Sequence, residues 1–447
     1  MDIKLGEFIT PYGNVSGVIS IDERWKAIIQ IDTYDRNIFD YLKNVKILNS
    51  ISDNLKYCFS ELICVKEGAN ISEKKCLFKF MFESFYFIEG LHCDNLDELQ
   101  IESASTTFNY LDKWYKGTAY CVFSLEEKCQ ALSNFENIPY KMDVYNIDDK
   151  LKILLSCATD IINLEEHFNV TFQYKEGKLS DYIEAINKFA RFLSLCCFTA
   201  VEVNDIISCN LESNKLIKIY RYKWIEETTI YPHFIVCYKE LKENFETIIS
   251  NYYKHDNLKQ TISTLNSVFY IPRSAIGGIS LRFLNCSKAI ESLYSIKEVY
   301  DFSISEKEFK EKLTNILKKI ECEEDKKFIK DKLCNSHKAT FRMKLIQFFN
   351  NVKQVFIDND EIINDLTSMI KNTRNYYTHI DLEDKNIINE KYLSLINSVL
   401  LSLLVCSLLW FLNDKKHLTT NSNYIKNSIN SFVNLIQPDL KILCEKT

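Results

Sequence analysis

Two hydrophobic periods divide this chain. Over roughly its first half, apolar residues come in short runs rich in β-branched and aromatic side chains, with partial alternation. WKAIIQID (Trp25–Asp32), CLFKFMFESFYFIEG (Cys76–Gly90) and NVTFQY (Asn169–Tyr174) are of this kind. Alternation sends successive side chains to opposite faces, so these runs are predicted strands. In KLIKIYRYKW, Tyr220, Tyr222 and Trp224 fall on one predicted strand face and Ile217 and Ile219 on the other. One stretch here, SDYIEAINKFARFLSLCCF, has helical spacing, so this half is mixed but β-dominated.

After about Tyr231-Pro232 the period lengthens to three and four residues. YKELKENFETIISNYYK and SLRFLNCSKAIESLYSI both carry it, and in the second Phe283, Ser287, Ile290 and Tyr294 define one helix face. DEIINDLTSMIKNTRNYYTH places Ile362, Leu366, Met369, Thr373 and Tyr376 on one stripe. SEKEFKEKLTNILKKIECEEDKKFIKDKL is a charged amphipathic segment whose charges line a solvated surface, and NSNYIKNSINSFVNLI is a further helix near the end of the chain. LSLINSVLLSLLVCSLLWFL, Leu393 to Leu412, is long enough to cross a bilayer. Its repeating Ser394, Ser398 and Ser402, with Asn397 beside them, make a polar stripe that suits a helix buried among helices. The expected architecture is α+β: a β-rich domain over 1–235 and an all-α bundle over 236–447.

At 447 residues the chain has room for two or three domains, and 46% hydrophobic with 26% charged residues is ordinary for a protein that buries real cores. Only 9 glycines and 5 prolines argue against linker-rich or disordered architecture. A net charge of −6 excludes a general basic nucleic-acid coat, so any RNA contact must come from a local patch. The 16 cysteines are scattered, with no CxxC pair, and read as reduced thiols. MDIKLGEFIT lacks the basic and apolar regions of a signal peptide. The location expected is cytoplasmic, without membrane association.

Candidate chemistry centres on TRNYYTH, Thr373 to His379. Arginine is a permanent cation whose planar fork suits phosphate oxygens. Histidine takes or gives a proton near neutrality. Together they supply what metal-free RNA cleavage needs: removal of the 2′-hydroxyl proton and a clamp on the charged phosphorane. On an ideal helix Arg374 and His379 lie about 140° apart, whereas Asn375 and His379, four apart, are nearly stacked. HIDLEDKN reads as a helix end and loop that would put His379 at an accessible edge. Tyr377 could stack a flipped base; Tyr376 lies on the apolar stripe and reads as core. In HKATFRMK, Lys338, Arg342 and Lys344 could touch an RNA backbone or simply line a solvated helix face. His92 and His167 lack partners at metal-ligand spacing, and Glu165-Glu166-His167 reads as a solvated loop or helix face. A Gly-rich phosphate loop, GxSxG and HExxH are all missing from the sequence.

IKNTRNYYTHID closely resembles the R-N-x-x-x-H signature of HEPN domains, in particular the ApeA-like branch of bacterial defence proteins. FLNCSKAIESLY (Phe283–Tyr294) resembles the family's earlier helix, whose acidic residue is here Glu291. The first half, with GVIS and FIEGLHCDNLDELQIES, resembles the β-rich domain preceding the HEPN module. The resemblance implies a metal-independent endoribonuclease with no cofactor, dimeric through the HEPN bundle, so that two motifs face one cleft. By position His379 would be the general base or acid, Arg374 the phosphate clamp and Asn375 the positioning residue. Glu291 would hold Arg374 or His379 by a hydrogen bond. It further implies an RNA substrate, with tRNA the species expected, 2′,3′-cyclic phosphate ends, and a role in anti-phage abortive infection set off by a phage-derived trigger. The alternative is a non-catalytic HEPN interaction or ligand-sensing module in a defence system.

Overall fold

A computed structural model describes residues 2–72, 75–116, 141–160, 165–211, 213–223, 234–271, 277–296, 299, 306–333, 339–351, 360–378 and 387–415. The chain falls into two compact units, Met1–Lys239 and Glu240–Thr447.

The first unit is β-rich. Its first six strands are β1 (Asp2–Thr10), β2 (Gly13–Ile21), β3 (Ala27–Thr33), β4 (Leu48–Ser52), β5 (Leu55–Ser72) and β6 (Lys75–Glu89). They run in the order β3-β2-β1-β4-β5-β6, all antiparallel, and β3 pairs back onto β6. That last ladder closes a barrel, which removes the unpaired strand edges an open sheet would present. The alternation predicted for the β3 and β6 stretches is what fills it: Ile29, Ile31, Phe80 and Phe82 are buried with Phe8 and Phe59. Each such side chain contributes about 1.5–3 kcal/mol on leaving water. The packing is close enough to dictate Gly17, where a Cβ would stand 2.7 Å from the Phe8 ring.

β6 serves two structures in turn. Phe78 to Ser84 pair with β3, and Tyr86 to Glu89 pair with β12 (Lys215–Arg221). Gly90 ends the strand at φ +106, where a Cβ would sit 2.8 Å from the Leu216 carbonyl oxygen; only glycine fits there. From β12 a second antiparallel sheet continues through β11 (Val203–Asn210), β7 (Ile101–Phe108), β10 (Glu165–Tyr174), β9 (Leu151–Asp160) and β8 (Lys141–Asn146). The predicted helix, Leu179–Cys197, packs on this sheet through Tyr182, Ile186, Phe189 and Leu193, all fully buried. Asp181 caps its first turn by accepting from the Lys178 N–H at 2.9 Å.

Two details of the sequence reading change. β12 stops at Arg221, so Tyr222 lies beyond the strand and Trp224 lies outside the described residues. Tyr220 is buried like Ile217 and Ile219, because its ring leans on Trp25 and Phe87 of the barrel. Glu165-Glu166-His167 is neither loop nor helix but the start of β10, whose ladder with β9 runs out to Asp160. His167 is exposed, and His92 donates through Nε2–H to the Ser50 carbonyl at 2.9 Å.

The second unit is helical. It contains α1 (Phe245–Lys254), α2 (Lys259–Tyr270), α3 (Gly278–Leu293), α4 (Glu306–Leu317), α5 (Glu323–Leu333), α6 (Phe341–Asn351), α7 (Asp360–Thr378) and α8 (Glu390–Leu412). The charged segment forms the two helices α4 and α5, and none of their described side chains is buried. The closing NSNYIKNSINSFVNLI stretch lies outside the described residues.

α8 is long and apolar enough to cross a membrane, but 78% of its most apolar window is buried inside this unit, against α3 and α1. Of its polar stripe Ser394 is exposed, Ser398 half-buried, and Ser402 and Asn397 buried: Ser402 donates to the Ser398 carbonyl at 2.8 Å, and Asn397 donates to Ile279 O at 2.9 Å. Ser407 shares a hydrogen bond of 2.8 Å with the Tyr294 hydroxyl, which also accepts from Asn351 Nδ2 at 3.0 Å. These bonds join α8, the end of α3 and α6 in one buried network, and burial pushes the Tyr294 hydroxyl up to about 12. α8 is packed as the core helix of a globular bundle.

Candidate functional site

The site is built where α3, α6 and α7 meet. α7 begins with Asp360 and Glu361, acids in the first turn that favour its N-terminus. Its buried residues Ile363, Leu366, Ile370 and Thr373 step by three, four and three. That stripe keeps Leu366 and Thr373 of the predicted one but takes Ile370 in place of Met369, and the difference matters at the motif. Tyr376, read as core, is 44% exposed, while Tyr377 is half-buried with its ring 6.4 Å from that of Phe283 on α3. The two tyrosines exchange their expected roles because the apolar face continues from Thr373 to the residue four further on.

Arg374 lies beside this stripe and reaches sideways to two other helices. Its Nη2 donates to Glu291 Oε2 of α3 at 3.1 Å, with side chains 31% and 36% exposed respectively. On its other side the guanidinium lies over the Phe341 ring of α6, 5.2 Å from the centroid. A guanidinium over an aromatic face is held by the ring quadrupole. The ion pair and the ring together fix the direction of a long side chain that would otherwise sample many rotamers. Glu291 engages Nη2, and a guanidinium fork carries five N–H donors, so donors remain for an oxyanion.

Lys344, one turn beyond Phe341, is not on a solvated face. It is 8% exposed, and its ammonium donates to Ser295 Oγ at 2.6 Å and to the Glu291 carbonyl at 3.3 Å. Burial pushes its pKa below the ordinary lysine value, with the Glu291 carboxylate opposing that shift. Lys344 therefore ties α6 to the turn of α3 that carries Glu291. Arg342 is exposed on α6, and Lys338 lies outside the described residues.

Thr373 is fully buried and ties α7 to the residues that lead into α8. Its hydroxyl donates to Met369 O at 2.7 Å and accepts from the Ile388 N–H at 2.8 Å. The chain thus returns to α7 just before Asn389, whose side chain caps α8 by accepting from the Lys391 N–H. Asn375 is half-buried near the end of α7, which closes at Thr378. His379 follows Thr378 directly and, with the rest of the HIDLEDKN stretch through Asn386, lies outside the described residues. No group of three or more metal-ligating side chains is found among the described residues.

The structure brings Arg374 and Glu291 together in one ion pair. It adds Phe341, Lys344 and the Thr373 tether. Phe341 and Lys344 carry no sequence signal for these roles, since both sit 30 or more residues from Arg374 and are joined to it only by helix packing.

Comparison with known families gives two matches. The model described as ApeA N-terminal domain 1 covers residues 10–252, more than half of the chain. The model described as Apea-like HEPN covers residues 284–413, which include Glu291, Phe341 and the whole R-N-x-x-x-H motif. No curated protein and no solved structure matches. HEPN domains are generally nuclease-like, and ApeA-type proteins belong to anti-phage defence. The barrel-and-sheet unit, the helical unit and both matches together make this chain an ApeA-like HEPN protein.

Proposed function

We propose that this chain is a metal-independent endoribonuclease that cleaves RNA, with tRNA the expected substrate, during anti-phage abortive infection in the cytoplasm. The observation that carries this reading is the partly exposed Arg374 guanidinium, oriented by Glu291 and Phe341, five residues before His379. His379 takes the 2′-hydroxyl proton or protonates the leaving 5′-oxygen, and Arg374 holds the phosphorane oxygens. Asn375 positions the imidazole or a phosphate oxygen. The products carry 2′,3′-cyclic phosphate and 5′-hydroxyl ends. Two copies pair through the HEPN bundle so that two motifs face one cleft, and a phage-derived component triggers cleavage.

A second reading is favoured by the same contacts. A guanidinium gripped by a carboxylate and a ring from two other helices also describes a structural brace, in a HEPN module that binds without cutting. Incubation of purified protein with total RNA in EDTA separates the two. The wild type is expected to cut, and His379→Ala to be inactive while folded and unchanged in assembly. Equal cutting by the variant, or intact RNA with a wild type that blocks infection, overturns the nuclease reading.

A further inference from the structure

The barrel carries a site of its own. β6 leaves β3 after Ser84 and takes up β12 from Tyr86, and this change of partner opens a notch at one end of the barrel. A cavity of about 240 Å³ lies there, lined by β1, the β2–β3 turn, β6 and β12. Its aromatic walls are Trp25, Phe87 and Tyr220. Tyr220 stands between the other two, its ring 4.6 Å from Trp25 and 4.8 Å from Phe87. Trp25 is held in position by a backbone at φ +63, a conformation rare for a bulky residue, and strain of this kind collects at ligand clamps.

The remaining polar lining is Asp2, Asp22, Glu23, Glu89 and Lys4. Lys4 pairs with Asp2 at 3.3 Å and donates to Tyr57 at 3.0 Å, leaving three carboxylates in the lining without a matching cation there. Asp22 holds the turn by accepting from the backbone N–H groups of Arg24 and Lys26, and Glu89 accepts from the Tyr57 hydroxyl at 3.4 Å. Aromatic faces rimmed by carboxylates attract organic cations and repel phosphates. The volume is below the roughly 300–1,000 Å³ of whole-ligand pockets and suits a single side chain. The Trp25 indole Nε1 is buried without an acceptor, and such orphan donors are uncommon; a peptide carbonyl would satisfy it.

We infer that this notch binds a guanidinium or alkylammonium group, as an arginine or lysine side chain of a partner polypeptide. This gives the N-terminal unit a ligand to read, and it does not depend on whether the HEPN unit cuts RNA.

The test is a tryptophan-fluorescence titration of the full chain with N-acetylarginine amide and, separately, spermidine, with Trp25→Phe identifying the reporting ring. Saturable binding is expected, with a dissociation constant on the order of 1 mM, weakened by added salt. Glu23→Gln/Glu89→Gln should bind roughly tenfold more weakly, as two half-exposed ion pairs would give, while circular dichroism stays native. Tighter binding of spermidine than of the arginine amide would overturn the polypeptide source. No saturation with either cation, or unchanged affinity in the folded double variant, would overturn the site.

Discussion

Replacing Glu291 by Gln keeps the shape of the side chain and removes the charge that faces Arg374. Two unit charges about 4 Å apart attract by about 4 kcal/mol at an effective dielectric near 20. Desolvation and the ordering of two long side chains offset most of that, and exposed pairs are measured at about 0.2–1 kcal/mol. Here the contact is a single N–O approach of 3.1 Å, with both partners about one-third exposed. The pair should therefore contribute about 1 kcal/mol to folding, at the upper end of that range. In a unit of this size such a loss lowers Tm by roughly 2–4 °C.

The effect on cleavage should exceed the effect on stability. On the proposed ribonuclease reading, a guanidinium released from Glu291 would still meet RNA but would spend less time aimed where charge develops. We expect Glu291→Gln to lower kcat about tenfold, equivalent to about 1.4 kcal/mol, with KM little changed. The decisive assay is a double-variant cycle with Arg374→Gln, scored both by urea unfolding and by single-turnover cleavage. Coupling near 1 kcal/mol in unfolding is expected. Additivity within about 0.3 kcal/mol, together with unchanged or faster cleavage in Glu291→Gln, would refute the claim that this carboxylate positions Arg374.

Two further outcomes follow from the neighbouring contacts. Thr373→Val leaves the Ile388 N–H buried without its acceptor and should cost about 1–3 kcal/mol in urea unfolding; a loss below 0.5 kcal/mol would mean that water replaces the hydroxyl. The folded pKa of Lys344 lies below its unfolded value of 10.5, so between the two the unfolded chain binds more protons. The penalty of burying this ammonium is full below the folded pKa and fades as pH rises toward 10.5. Wild-type stability relative to Lys344→Met should therefore increase between pH 7 and pH 10, and parallel urea melts of the two proteins would contradict it.

Local pattern made much of this molecule legible. Phe78, Phe80 and Phe82 alternate because they fill a barrel from one side, and that spacing is visible in the chain. The closure itself is not, since the β3–β6 ladder joins residues about fifty positions apart and register over that distance is set by tertiary packing. The α7 stripe shows the limit at finer scale. Met369 and Tyr376 fit a helical period as well as Ile370 does, and Thr373, which receives the Ile388 N–H, belongs to either stripe, so only tertiary packing decides that Ile370 is buried and Tyr376 exposed. Arg374 was found through its motif and Glu291 through family resemblance. The aromatic ring under Arg374 and the ammonium behind Glu291 come from α6, where HKATFRMK reads more readily as a solvated face.

The surroundings of Arg374 resolve a conflict between holding a charge and offering it. Left in water, the side chain would carry about 2 kcal/mol of rotamer entropy that binding a phosphate must overcome. Fully buried with its carboxylate, it would be ordered but out of reach. The observed arrangement lies between these limits because Glu291 and Phe341 approach from α3 and α6, and neither encloses the fork. The aim of Arg374 therefore depends on the α3–α6 contact as much as on α7. That contact is pinned twice, by the Lys344 ammonium on Ser295 and the Glu291 carbonyl, and by the Asn351–Tyr294–Ser407 chain one face over. Anything that shifted α6 against α3 would turn the guanidinium without touching the motif, so the bundle's packing and the direction of its exposed cation are one structural variable.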